Sequence, residues 1–358
     1  MVPRGHRWGK LDVVTESQTA RFAGVGLSLS NEEPAAVTLA QGVQADELGY
    51  DEVSIPESRL HRSATSVAAA ILARTRRITV RVGVANPVTR HPLLLALEAA
   101  TLADLGPGRV RFGIGACEWT MRVLGCDPEG WLPYTNTVEA VRAMRSLLAG
   151  GPVGFEPATF AAAADLRLDL LPPAPVPVDV GAVSPRMLEA SGRWADGVQL
   201  GALMSPAYVA WAAERIADGA RTEGRDPSEV LISGNVLTSL SRDRDAARRE
   251  VCEVLAYYLA RVEGVVVDRS GADPEAVAAV RAAVRRDGLA AGAAAVSGQL
   301  IDTFAVTGDT DEVIERLMPF GEAGMAMPLL WYTLGPDPTW AVEALAAEVL
   351  PAVRSEPS

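Results

Sequence analysis

Two glutamates stand where a short β-branched run gives way to polar residues: Glu57 in "DEVSIPESRLHR" and Glu118 in "RVRFGIGACEWT". A carboxyl there, its proton retained by burial beside an apolar ring, works as a general acid; an exposed one is an ordinary turn residue. Both readings stand for each glutamate. A third run, "ITVRVGVANPVTRHP", ends unusually. Glycine weakens a strand interior and Pro87 cannot donate to a sheet ladder, yet Asn86, Arg90 and His91 crowd its end. Arg90 and His91 read as anchors for neighbouring loops in preference to catalysts. In "GAVSPRMLEASGRWADG", Ser184 can cap a helix, Pro185 fits its first turn and Arg186 follows at once. That group is either an anion site or a capped helix with a surface arginine. "GVGLSL" and "GIGACEW" lack the third glycine of a dinucleotide fingerprint and read as close strand packing, with room for a flat ligand over the strand ends.

These residues need elements to hold them. From Phe22 onward, short β-branched runs alternate with long Ala/Leu-rich helical stretches: 22–30, 51–57, 78–88, 109–117, 176–183, 197–203, 228–241 and 326–334, each followed by a helix-like segment. Alternation of this kind implies parallel strands with covering helices, and eight units favour an α/β fold closed as a (β/α)8 TIM barrel over an open doubly wound sheet. A hairpin is expected over 153–170. Residues 263–300 break the rhythm and read as a helical insertion before the last strand, while 1–21 is polar and aperiodic, a flexible leader to a single domain over 22–354. In such a barrel the active site lies at the C-terminal strand ends, where Glu57, Asn86, Glu118 and Ser184 would share one mouth.

Composition narrows the class. A net charge of −12 over 358 residues argues against nucleic-acid or anionic-membrane partners, since phosphate neutralisation needs a basic surface. The single lysine, Lys10, lies in the leader, which excludes a Schiff base in the body. Three cysteines without CxxC and three scattered histidines supply neither a disulfide framework nor a zinc cage, so no metal site is expected. No apolar run is long enough to span a bilayer, and no signal peptide opens the chain, which points to the cytoplasm.

Taken together, "NPVTRHPLLLALEAATLADLGPGRVRFGIGACE", "PVDVGAVSPRMLEASGRWADGV" and "VTGDTDEVIERLMPFGEAGM" resemble the luciferase-like monooxygenase superfamily. The chain is most similar to the branch that uses the deazaflavin coenzyme F420, to which methylene-tetrahydromethanopterin reductases and F420-dependent glucose-6-phosphate dehydrogenases belong; the likeness spans about residues 22–350. The resemblance implies a bulged third strand with a non-prolyl cis peptide at Gly83–Val84 behind the deazaflavin ring, and Asn86 near the ring edge. It implies that Glu118 stabilises or protonates the reduced ring, with Cys117 replacing the usual glycine before it. Ala182, Val183, Ser184, Pro185 and Arg186 match the loop that holds the cofactor's phosphate tail. Glu57 keeps a carboxyl near the ring, but Ser58 replaces a frequent histidine base, which counts against sugar-phosphate dehydrogenase chemistry. The implied activity is hydride transfer between deazaflavin C5 and a small organic substrate, as a reductase of C=C or C=N bonds in a biosynthetic pathway. The implied substrate pocket is walled by Arg59 to Arg62, Trp119 to Met121, the insertion and Trp331. Alternatives are an FMN-dependent monooxygenase of the same superfamily and a barrel that binds cofactor without catalysis. Members are usually homodimers.

Overall fold

A computed structural model describes residues 21–57, 60–125, 131–262 and 264–355, with the side chains of Glu118, Trp119, Tyr332 and Thr333 excepted. The expected leader, apart from Arg21, and Ser58 and Arg59 lie outside the described residues. Each expected strand forms: β1 (Gly26–Ser28), β2 (Glu52–Ile55), β3 (Thr79–Ala85), β4 (Val110–Ile114), β5 (Val178–Ala182), β6 (Gly197–Leu200) and β7 (Leu231–Leu240). A short β8 (Ala305–Gly308) then precedes β9 (Met327–Leu334). The crossover helices are α1 (Ala35–Leu48), α2 (Ala64–Arg74), α3 (Pro92–Leu105), α4 (Glu118–Val123), α5 (Pro133–Leu148), α6 (Pro185–Trp194) and α7 (Pro206–Thr222). After β7 come α8 (Arg244–Glu250), α9 (Cys252–Leu259), α10 (Gly264–Ser270), α11 (Pro274–Asp287), α12 (Leu289–Ala294) and α13 (Gly298–Phe304). Helices α14 (Thr310–Glu322) and α15 (Pro338–Ala344) flank β9.

All strand pairings are parallel, and they close. Strands β1 to β7 pair in sequence, β7 pairs with β9, and β9 returns to β1. Eight strands therefore form a (β/α)8 barrel. Strand β8 is extra. It pairs with Leu237–Leu240 of β7, whereas β6 takes Leu231–Gly234, so β8 prolongs the β6 side beyond the ring. Four residues between two helices gave the sequence too little periodicity to reveal it.

Three other expectations need correction. The hairpin over 153–170 is a loop without strands, closed by Val153 N–H donating to the Leu166 carbonyl (3.0 Å) and Gly154 N–H to Ala164 (2.8 Å). The stretch after β7 is divided between α8 and α9 at Val251. The insertion is helical as expected but runs on to Phe304, the end of α13. Together with α9, its helices form a second apolar cluster in which Leu255, Leu259, Val280, Leu300 and Phe304 cover Leu237 and Ala305 of β7 and β8.

Helix ends follow local chemistry. Gly49 ends α1 at φ 85°, a left-handed stop that glycine adopts without a Cβ clash. Ser63, Ser205 and Ser297 each accept a backbone N–H of the helix they cap, and Asp309 forms a reciprocal capping box with Glu312.

The lower end of the barrel holds charge. Arg81, fully buried, donates to Glu52 on one side and Asp179 on the other, and Arg111 reaches the same Asp179 through Nε (2.9 Å) and Nη2 (2.6 Å). Burial opposes the Arg111 charge, but Asp179 and Glu52 outweigh it and hold the guanidinium above its ordinary value. Alternation turns Val53, Ile55, Val80, Val82, Phe112 and Ile114 outward onto the helices, where all are buried. Removing one carboxylate would leave buried cations uncompensated. Asp179→Ala is expected to cost about 3–5 kcal/mol, read as a lowered urea midpoint in equilibrium unfolding.

Candidate functional site

The third strand bulges where its sequence breaks. Pairing with β4 shifts register between Val82 and Ala85, and the Gly83–Val84 peptide is cis, as the resemblance implies. The bulge turns the Val84 side chain toward the barrel axis, where three glycines make room for it. A Cβ at Gly113 would sit 2.8 Å from Val84 Cγ1, one at Gly181 would sit 3.1 Å from it, and one at Gly115 would collide with Cγ2. Gly83 is needed for a related reason, because a Cβ there would run into Gln199 Oε1 and Ser54 Oγ. Val84 thus stoppers the barrel just below its mouth and offers an apolar floor.

Asn86, which the resemblance sets near the ring edge, is engaged within the protein. Its Oδ1 accepts the N–H groups of Val88 (2.7 Å) and Thr89 (3.1 Å), and its Nδ2 donates to the Ala116 carbonyl (2.5 Å). The residue is 3% exposed. It is a clasp between the loops that follow β3 and β4. Arg90 continues the clasp, pairing with Glu57 and, at 2.7 Å, with Glu98. The second Glu57 oxygen accepts the Ala64 N–H at the start of α2 (3.3 Å). Both Glu57 oxygens are therefore engaged in anchoring. His91 caps α3 by accepting the Leu93 N–H at Nδ1 (3.2 Å), and its Nε2 meets the Ala161 carbonyl (3.0 Å). With Nδ1 accepting, the ring proton sits on Nε2 and donates. Arg90 and His91 are anchors, in line with their sequence reading.

Cys117 opens α4 at φ 44°, in the left-handed region, and its thiol donates to the Val84 carbonyl (3.6 Å). Burial pushes that thiol up to about 12. The backbone of Glu118 begins α4; its side chain, the expected proton handler, lies outside what is described, as does Ser58.

Across the mouth, β5 ends in Ala182 and delivers Val183, Ser184 and Pro185 to the start of α6. The sequence suggested that Ser184 would cap this helix with its hydroxyl. It occupies the cap position, but its side chain makes no capping bond, unlike Ser63, Ser205 and Ser297. A hydroxyl and first-turn N–H groups at a helix start are groups of the kind that can hold an anion. Arg186 is exposed and lies over the Tyr134 ring, 3.7 Å from its centroid. Tyr208 fixes the loop from behind by donating its hydroxyl to the Val183 carbonyl (2.7 Å).

Four contributors went unread in the sequence. Asn31 ties the 56–62 loop to the end of β1 by donating to the carbonyls of Pro56 and Arg62. Gln199 and Asn235 each hold a buried amide oxygen without a partner among the described residues. Gly234 faces outward onto Met325, so alternation turns Asn235 inward. Tyr258, on α9, packs edge-on against Trp331 at 5.0 Å and joins the helix that precedes the insertion to β9. A polar residue inside an apolar strand, as in "GVQLGAL", was the available signal for Gln199. A crevice of about 400 Å³ lined by Arg142, Arg145, Phe155 and Trp194 belongs to the opposite end of the barrel, where helices lead into strands.

No helix among the described residues is long and apolar enough to cross a membrane, and no described cluster of His, Cys, Asp and Glu has the makings of a metal site. A thiol held this high carries about a thousandfold less thiolate at pH 8 than a free cysteine. Cys117 is therefore expected to alkylate slower than free cysteine by that order, with the rate still climbing past pH 10, as followed by peptide-resolved mass spectrometry.

Comparison with known proteins supplies the context. The chain is 28% identical over 309 residues to 5,10-methylenetetrahydromethanopterin reductase of Methanolobus tindarius, covering 86% of this chain and 93% of that protein. It is 27% identical over 329 residues to F420-dependent glucose-6-phosphate dehydrogenase of Beutenbergia cavernae, covering 88% and 93%. The solved structure of the coenzyme F420-dependent tetrahydromethanopterin reductase from Methanopyrus kandleri superposes with a TM-score of 0.83 at 26% identity, covering 93% of this chain and all of that one. The luciferase-like monooxygenase family profile matches residues 17–327, and with its bulged third strand and open α6 start the chain belongs to that family.

Proposed function

We propose that this protein is an F420-dependent oxidoreductase that moves a hydride between the coenzyme and a small organic substrate. One observation carries the reading: an apolar stopper, Val84, and an uncommitted helix start at Ser184 occur on the same barrel mouth. A flat ring with a phosphate tail needs both. The residues fit the coenzyme further, since Gln199 Oε1 and Asn235 Oδ1 are buried acceptors that find no donor among the described residues. Val84 would back the ring. Ala182 and Val183 would line the path of its tail, and Ser184, Arg186 and the first turn of α6 would take the phosphate, with Pro185 setting the turn. When bound, the coenzyme supplies a hydride-exchanging carbon, C5. The protein contributes position and electrostatics.

Glu118, at the first position of α4, is assigned the proton that accompanies the hydride. Glu57, committed to Arg90 and the start of α2, keeps the 56–62 loop at the ring edge. Trp331, buttressed by Tyr258, walls the substrate space. With Ser58 in place of a histidine base, the proposed direction is reduction of C=C or C=N bonds. Assembly as a homodimer belongs to the same reading, and Leu94, Leu97 and Leu105 are exposed apolar surface on α3.

Titration by fluorescence quenching, with F420 and FMN in parallel, tests the cofactor. Saturable quenching with F420 alone is expected, and turnover only with FMN and oxygen would reverse the assignment. Arg186→Ala is expected to weaken F420 binding about tenfold, the loss of one charge-assisted bond. Glu118→Gln is expected to slow turnover of reduced F420 by about 10²–10⁴ on a panel of enones and imines, with F420 affinity kept. Unchanged turnover would remove its proton role.

A further inference from the structure

The β3 and β4 loops are tied by more than their sheet pairing. Regular pairing ends at Ala85 and Ile114. Beyond it, three bonds follow one another up the seam: Gly115 N–H to the Ala85 carbonyl (3.0 Å), Asn86 Nδ2 to the Ala116 carbonyl (2.5 Å), and Cys117 Sγ back to the Val84 carbonyl (3.6 Å). The last two are made by side chains, and they run in opposite senses across the seam. Each ends on a backbone carbonyl that strand pairing has not used at that level.

Cys117 has a further peculiarity. Its φ of 44° lies in the region glycine occupies without cost, and only three described non-glycine residues adopt a positive φ. The residue that bears this backbone penalty is the one whose thiol reaches the Val84 carbonyl. Asn86 is equally committed. Its Oδ1 holds the turn through Val88 and Thr89, so Nδ2 is aimed at Ala116 by a side chain that has no freedom to rotate away.

We infer that Asn86 and Cys117 are a pair of positioning residues that lock the start of α4 onto the Val84 bulge, fixing the spacing between the ring floor and the first residue of that helix. The inference rests on the function proposed above for its cofactor, though the lock itself does not. Neither residue need touch the coenzyme. Loosening the lock lets the 115–118 segment drift from the floor, so the ring meets a site whose two halves are no longer in register.

The test separates the lock from the function. In the full chain without cofactor, iodoacetamide labelling of Cys117 is followed by peptide mass spectrometry, with Cys252 as internal reference. Asn86→Asp keeps the Oδ1 contacts to the turn but sets a carboxylate oxygen against the Ala116 carbonyl. It is expected to raise Cys117 labelling about tenfold, the equivalent of one lost hydrogen bond, with Cys252 unchanged. Unchanged Cys117 labelling in a folded variant overturns the lock. F420 affinity, measured by fluorescence quenching, is expected to fall about tenfold in Asn86→Asp and about threefold in Cys117→Ala, whose thiol is a weak donor. It should fall by less than the product in the double variant, because the two act on one segment. Cys117→Ser, whose hydroxyl can still donate, should recover part of the loss. Additive losses, or affinity unaffected by Cys117→Ala, overturn the positioning role even if labelling rises. Should Asn86→Asp fail to fold, the Cys117→Ala and Cys117→Ser pair decides alone: equal affinities overturn the inference, and an advantage for serine upholds it. Absence of F420 binding to the unaltered protein would overturn the proposed function and leave the labelling result to judge the lock.

Discussion

Arg81 is the constraint around which the ring closes. A guanidinium with no exposure to water is tolerable only between counter-charges, and it has them from two other strands, Glu52 on β2 and Asp179 on β5. Asp179 is shared with Arg111, so four strands are tied through one ionic cluster. Barrel interiors are usually filled with branched aliphatic side chains. Here the lower layers are charged and polar, and the branched residues are sent outward beneath the helices. The cluster demands that β2, β3, β4 and β5 keep one register. The same register brings Gly113, Gly115 and Gly181 level with the bulge above.

That alignment explains the glycines. Gly113 and Gly115 lie on or just past β4 and Gly181 on β5, positions where a strand loses packing by lacking a side chain. The space they vacate is taken by Val84. One valine is substituted for three absent side chains, and it arrives from a strand that had to bulge to deliver it. A polar floor of ordinary strand residues would need bonding partners of its own, whereas an apolar stopper leaves the mouth dry without them.

Much of this was legible, for reasons particular to each element. The eight-fold rhythm was clear because each strand is short and β-branched and each helix alanine-rich. The odd end of β3 announced itself through Gly83 and Pro87. The contacts that fix it did not, since Asn86 reaches Ala116 and Arg90 reaches Glu57, partners roughly thirty residues away that local pattern cannot identify. Ser184 was readable as a cap by type and neighbours, but whether a hydroxyl turns back to its helix is a rotamer choice that no sequence displays. β8 was hidden because four residues between helices have no room for alternation. The loop over 153–166 carries turn residues in plenty, yet its closure through two backbone bonds is too brief to make strands.

Strand β8 has a bearing on how the chain accommodates its extra helices. Ala305, where the chain enters β8, pairs with Leu237, three residues before β7 ends at Leu240. Ser241 N–H ties the far ends together through the Gly308 carbonyl (2.9 Å), so the chain returns beside the strand it left with more than sixty residues between. Joining ends already held together costs little more for a long excursion than for a short one, since closure entropy grows only with the logarithm of length. The two strands act as a socket. A longer or shorter roof can be mounted in it at little cost in closure entropy, with the ionic ring beneath left as it is.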